Sequence, residues 1–332
     1  MLMRLGLALS FAWVAWAAPA RAQEVELAWK FSQGDKPFYQ KLKTSTTQTM
    51  KVMGQTIIQN LDQEFTFSWT VKSVDAQKVV LEQKIEAASM KINLAGNEVK
   101  FDTQAKDAAD NPLSSYFKPL VGSSFTITLD PSKMTVLAVG GRDEFIKKMR
   151  DANPQIGQLL QVILTEEQLR QMCEPIFGSV PDKGKKVKAN DVWNRASNLA
   201  MGPIGSFETK YDYKYLGTEK RTIDGQEVTL HKIEMKTNLT YKAPEAKDAS
   251  GLNFKIDGGK LDTSEATGMI FFNAETGRIV ETKMDVKLKG KLDISVMDVK
   301  SEVELEQTQK TESMFSEKNP TEAGPAGATA PK

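Results

Sequence analysis

Very few side chains in this sequence are equipped for covalent or acid–base chemistry. His231 is the only histidine and Cys173 the only cysteine among 332 residues. A single histidine removes the commonest general base, and with it Ser-His-Asp and Cys-His catalysis of the usual kind. The pair also leaves no set from which a zinc cage or a multi-histidine metal site could be drawn. His231 shares strand parity with Ile233 and Met235 and reads as a strand-end histidine with one polar partner, not a ligand. Cys173 lies on the apolar side of a helical stretch and reads as a small buried hydrophobe. A reactive thiol would want a cationic neighbour, and Arg170 is the candidate nearby.

Other patterns touch on chemistry without completing it. Ser115-Tyr116-Phe117-Lys118 spells S-x-x-K, a spacing that lets lysine activate serine on one helical turn, but Pro119 follows directly and no partner motif accompanies it. Asp107 and Asp110 could touch Ca²⁺ from a loop, yet the acidic spacing and the glycine of a calcium loop are missing. Neither a phosphate-binding glycine loop nor a dinucleotide fingerprint occurs. Paired carboxylates for glycoside hydrolysis meet in space and not in sequence, and nothing singles out a pair. The sequence therefore assigns no catalytic, cofactor-binding or metal-binding residue.

The elements that would have to position any site are organised around Arg142 to Phe177, the one strongly helical region after the N-terminus. Phe145, Ile146 and Met149 form one face of a first helix that must stop near Asn153, because Pro154 disfavours α geometry in the residue before it. Pro154 can open a second helix, where its missing N–H costs nothing. Ile156, Leu159, Leu160 and Ile163 follow at the spacing of a single buried stripe. Thr165 with Gln168 matches a capping box, so a third helix starts there and carries Leu169, Met172, Cys173 and Ile176. The stripes read first as core against a sheet. The sharper reading makes Leu159, Leu160 and Ile163 face an apolar ligand.

On both sides of the helices the chain alternates apolar and polar residues with period two, as half-buried strands do. Val25 to Phe31, Phe65 to Val71, Phe125 to Leu129, Phe207 to Tyr215 and Met284 to Leu288 all follow it. Turn signals stand at Met53-Gly54, Ala95-Gly96-Asn97, Asp130-Pro131, Asp224-Gly225, Asp257-Gly258-Gly259 and Thr276-Gly277. The fold class expected is α+β and β-dominated: a large, strongly curved antiparallel sheet or open barrel with a central cluster of short helices at 142–177. Residues 23–317 form one β-rich domain of two halves, 23–140 and 179–317. One sheet and two stacked β-domains both remain open, with one cooperative unit favoured because neither half has a helical layer of its own.

The ends and the composition bound the compartment. The opening residues carry Arg4, an apolar run from Leu5 to Ala18, and Ala20-Arg21-Ala22, an A-x-A cleavage signature, with Ala18-Pro19-Ala20 as a second candidate. The run falls short of the ~20 residues that span a bilayer, so residues 1–22 read as a signal peptide with no transmembrane anchor after its removal. No cysteine for lipid attachment stands nearby. Taking Arg4 and Arg21 from 44 basic residues leaves 42 against 43 acidic ones, a balance that argues against nucleic acid as a partner. A lone cysteine cannot form an intramolecular disulfide, so stability must come from the core. The tail at 318–332, rich in Pro, Gly and Ala, is expected to be disordered.

From Trp29 to about Lys310, through WKFSQGDKPFYQ, TTQTMKVMGQ, EFTFSWTV, VVLEQKIE, GSSFTITLDPSKM, GRDEFIKKM and LAMGPIGSFETKYDYKY, the chain resembles an uncharacterised family of exported bacterial proteins. That resemblance implies a compartment and a fold style, and no site. In architecture alone the chain is similar to periplasmic lipoprotein carriers, whose curved sheets hold helices and bind acyl chains. The leading expectation is a non-enzymatic envelope protein, periplasmic or extracellular, that binds an apolar or amphipathic ligand, or an envelope protein partner, in the concave face of its sheet, with no cofactor. The alternatives are a structural or interaction module without a small ligand, and a hydrolase that uses carboxylates only.

Overall fold

The computed structural model describes residues 24–105, 114–245, 254–296 and 299–322, without the side chains of residues 115, 116, 155, 156, 158, 159 and 163. The signal-peptide reading of residues 1–22, Asp107, Asp110, and most of the tail lie outside the described residues. A short pair, β1 (Val25–Glu26) and β8 (Lys186–Val187), stands apart. The first half contributes β2 (Phe38–Val52), β3 (Gln55–Val74), β4 (Val79–Leu94), β5 (Asn97–Asp102), β6 (Ser124–Leu129) and β7 (Val136–Gly140). The second contributes β9 (Val192–Ala200), β10 (Ser206–Ile223), β11 (Gln226–Lys242), β12 (Lys255–Asn273), β13 (Arg278–Val296) and β14 (Val299–Ser316).

These twelve strands make one antiparallel sheet in the order β7-β6-β4-β3-β2-β14-β13-β12-β11-β10-β9, with β5 on the outer part of β4. The two halves meet where β2 pairs with β14, from Tyr39↔Ser316 to Val52↔Val303. The sheet does not close into a barrel; β7 and β9 are its edges. Several strands run 15 to 20 residues, well beyond the usual length. Unbroken alternation permits this, and tight turns set the register. Met53-Gly54, Ala95-Gly96 and Asp224-Gly225 each have positive φ at both residues, the type I′ geometry whose twist matches that of the flanking strands.

The helices end where the local signals place them. In α2 (Arg142–Ala152) the chain enters through Gly141 at φ 93°, where a Cβ would lie 2.5 Å from the Ser124 carbonyl oxygen. Asn153 is extended, and Pro154 opens α3 (Pro154–Ile163). Thr165 and Gln168 form the full capping box of α4 (Glu166–Phe177). A short α1 (Ser114–Phe117) stacks Phe117 on Phe101 of β5. Helix α4 packs against both β7 and β9, so it bridges the open side of the sheet.

Curvature follows from the core. A single apolar cluster takes in Val136 of one edge, Trp193 of the other, and Trp69 of the interior, which requires the sheet to curl on itself. At its centre Phe177 lies against Trp29 and Trp69, and Trp29 meets Phe272 edge-on. Trp29 donates its indole N–H to the Phe177 carbonyl at 3.1 Å. This accounts for one departure from expectation: residues 27–31 alternate without forming a strand. Leu27 and Trp29 are buried because an extended segment plugs the end of the sheet, and Lys30 N–H bonds Gly277 in the β12–β13 turn. A second departure is at Asp257-Gly258-Gly259, which is no turn but a bulge inside β12. The Gly259 backbone approaches β13 so closely that a Cβ would meet the Lys291 carbonyl oxygen at 2.6 Å, the usual meaning of glycine within a strand.

Candidate functional site

Of the residues singled out for chemistry, His231 and Cys173 are tied into the fold, while Asp107, Asp110 and the side chain of Ser115 lie outside the described ones. His231 Nδ1 lies 2.8 Å from the Tyr215 hydroxyl, one polar partner as expected, though mid-strand and not at a strand end. Burial lowers its pKa. Cys173 packs against the core, and burial pushes its thiol up to about 12. Arg170 does not activate it; its guanidinium pairs with Glu167 and Glu174 along α4. Among the described residues no group of His, Cys, Asp and Glu could hold a metal ion. Of the three predicted ligand-facing residues Leu160 is half-buried, while the side chains of Leu159 and Ile163 lie outside the described ones.

Sheet register shows a site that the helical stripe did not. Directly opposed residues share a face, so the partners of Phe38 and Trp69 can be followed across every long strand. On β2 the inner face carries Leu42, Thr44, Thr46, Gln48 and Met50; on β3 their partners are Phe65, Gln63, Leu61, Gln59 and Ile57. On β14 it carries Leu305, Gln307, Gln309, Thr311 and Ser313, and on β13 Gly290, Leu288, Val286, Met284 and Thr282. None is charged. Along the described strands as far as His231, register places one charged residue on this face, Arg195 on β9; past His231, towards the Asp224-Gly225 hairpin, it adds the paired Lys220 and Glu227. The opposite face carries the ions, paired as Lys41–Glu64, Lys287–Glu265 and Lys291–Glu302 at 2.6 to 2.7 Å.

Uncharged does not mean apolar. Along β14 the Gln307 amide donates to Gln309 and Gln309 donates to Thr311, at 3.4 and 3.3 Å. Below them Trp69 donates to Gln40, which donates to Ser313, at 3.1 and 2.9 Å, and all three residues are buried. The seam between the halves is thus a ladder of amides and hydroxyls, flanked by leucine, valine and methionine. In the outer half of the sheet most of this face stays half-buried, apart from a small second cluster in which Tyr241, Leu261 and Leu305 are buried and Met50, Phe207 and Leu292 pack against them. The face runs out to hairpin ends where large apolar side chains stand exposed: Met53, Leu94, Phe254, Val296 and Val299, with Met53 at 72%.

A smaller polar cluster sits where α4 crosses to the sheet edge. A cavity of about 200 Å³ there is lined by Glu174, Arg195, Tyr211 and Tyr213, among others. Burial raises the Glu174 carboxyl and the Tyr211 phenol, in the first case against the opposing pull of Arg170. Glu167 and Glu174 are driven apart in this way but share Arg170 as one ion-pair ladder.

Residues 76–279 match the family described as "Family of unknown function (DUF6263)". No curated protein matches the sequence. Solved structures to which the chain shows some likeness include lipovitellin, from a study of its lipid–protein interactions, at 12% identity and a TM-score of 0.39 over 91% of this chain; the chain spans 27% of that protein. They also include the "hypothetical lipoprotein YmcC" of Escherichia coli K12, at 9% identity and 0.21 over 80% of this chain and 85% of that one. A protein with YmcC-like fold from Bacteroides fragilis matches at 7% identity and 0.21, over 88% and 98%. At such scores these likenesses carry nothing about function.

Proposed function

The chain belongs to this family of unknown function, and we propose that it is an exported, non-catalytic binding protein that holds an apolar or amphipathic ligand along the inner face of its sheet. One observation carries the reading: charge is excluded from that face along β3, β2, β14 and β13, on both sides of the seam, while most of it remains half-open to solvent. An open sheet face whose only partner was water would tolerate lysine and glutamate, as the outer face does. Keeping glutamine, threonine and methionine there instead suits a ligand with an apolar body and a few hydrogen-bonding groups. The non-catalytic part is supported by the two best nucleophile or base candidates, His231 and Cys173, being committed to packing.

Native mass spectrometry of the full chain exported by a bacterial host, followed by organic extraction, tests this. A stoichiometric co-purifying amphiphile is expected, lost in Val286→Asp on the inner face and kept in Lys287→Asp on the outer one. A clean apo mass overturns the proposal. The exposed apolar side chains at the hairpin ends favour a second reading, an interaction module of the cell envelope, whose expected result is that clean mass together with a stable protein partner.

A further inference from the structure

The two ends of the sheet differ in what they show to solvent. At the outer end the hairpins leave Met53, Ile58, Leu94, Phe254, Val296 and Val299 exposed. These residues belong to neighbouring strands, β4-β3-β2-β14-β13-β12. They form a line roughly 24 Å long at the usual strand spacing. The turns at the other end are Asp75 to Lys78, Asp130 to Thr135, Asp224-Gly225 and Ala274 to Gly277, and none carries an exposed large apolar side chain. Single exposed apolar residues are ordinary on any protein, but a row confined to one end of a sheet is not.

Met53 is the sharpest case. Its φ is 50°, in the left-handed region that methionine seldom enters and that asparagine, aspartate and glycine fill readily. The matching turn at the other end has the usual pair, Asp224-Gly225. Met134 also has positive φ, and its burial in the core accounts for it. Met53 is 72% exposed, so no packing within the chain offsets the cost of its backbone.

Such a row suits an apolar layer broad enough to meet separate hairpin tips at once. A protein partner would favour side chains gathered into one patch with a packed centre. Lys51, Lys255 and Lys300 stand exposed within two residues of Met53, Phe254 and Val299. Lysine stems can lie along apolar side chains while the ammonium reaches lipid headgroups. Glu304 pairs with Lys51 at 3.6 Å and Asp257 with Lys255 at 2.9 Å, so the local excess of positive charge is small and apolar contact must carry the binding. We propose that this rim docks on the surface of a lipid bilayer, its hairpin tips entering the headgroup layer. The uncharged inner face then opens onto the membrane, and that consequence rests on the inner-face reading above.

Flotation of the full chain with vesicles of phosphatidylcholine, and separately of phosphatidylethanolamine with phosphatidylglycerol, tests the docking. The wild type should float with both. Met53→Asp and Val299→Asp should each bind about three- to tenfold more weakly, while Ala76→Asp at the opposite end binds as the wild type does. Met53→Asp should melt no lower than the wild type, because aspartate suits that turn position. A lower melting temperature shows that Met53 serves the fold and overturns its assignment to the membrane. Flotation equal in all variants, or with the anionic vesicles alone, overturns the docking. So does a wild-type chain that stays at the bottom of the gradient, a stable protein partner in its place being the interaction-module outcome. The co-purifying amphiphile is read separately by native mass spectrometry. Found without flotation, it leaves the inner-face reading standing and the docking overturned; flotation without it keeps the docking and overturns the inner-face reading.

Discussion

At the scale of single residues, the buried relay Trp69–Gln40–Ser313 ties β3, β2 and β14 together where the halves join. Gln40→Leu would strand the Trp69 N–H and the Ser313 hydroxyl, at about 1–3 kcal/mol for each group left unpartnered. Urea unfolding should show a lower midpoint at unchanged slope; a shift within error would mean the relay is dispensable. His231 supplies a pH dependence. Burial lowers its pKa from 6.5, so the unfolded chain takes up the proton first as pH falls. Its contribution is full above the unfolded value and is lost as pH drops through 6.5 towards the folded one. Unfolding free energy should therefore decline as pH falls through 6.5, and His231→Gln should flatten that decline. With its thiol pushed up to about 12, Cys173 should stay unmodified by a thiol reagent at mildly alkaline pH until denaturant is added.

Elements were legible where their signals are local. The capping box at Thr165 and Gln168, the stop before Pro154 and the Asp224-Gly225 hairpin each need only a few neighbouring residues. Alternation also marked the strands, but it could not tell a paired strand from the extended plug at residues 27–31, because both bury every second residue. The bulge at Gly258 and Gly259 passed for a turn for a similar reason: glycine announces unusual backbone without saying which kind. The inner-face site was illegible in part because it depends on which residues oppose one another across strands, and Gln48, Gln307 and Gln309 are ordinary in their own segments. Helix α4 yields its own test. Thr165→Ala removes the cap at a cost of about 1 kcal/mol. Because α4 spans both edges, hydrogen-exchange protection should fall together in β7 and β9, which are far apart in the strand order. Loss confined to one edge would show that the helix does not couple them.

At the scale of the molecule, the halves share one sheet and one principal core, so unfolding should be a single transition by fluorescence and by circular dichroism alike. Truncation after Val296 removes β14 and with it the seam. The expected product is a chain without a cooperative transition; a stable, cooperatively folding fragment would instead establish the halves as independent units. Arg278 bears on the same point from the closed end. Its guanidinium lies over Phe31 and Phe38 and pairs with Asp35 at 3.0 Å, fastening β13 to the beginning of β2.

The seam also sets a clock. Strand β2 is made long before its neighbour β14, with ten other strands of the sheet between them in the chain. At about 5–20 residues per second of synthesis, β2 waits some tens of seconds with one edge unpaired. During that wait the nascent chain presents a long, threonine-rich ribbon, uncharged on one face, to every other ribbon like it. Molecules of this design must be kept apart while they are being made, and crowding of unfinished copies, more than any weakness of the finished one, is what should limit their yield.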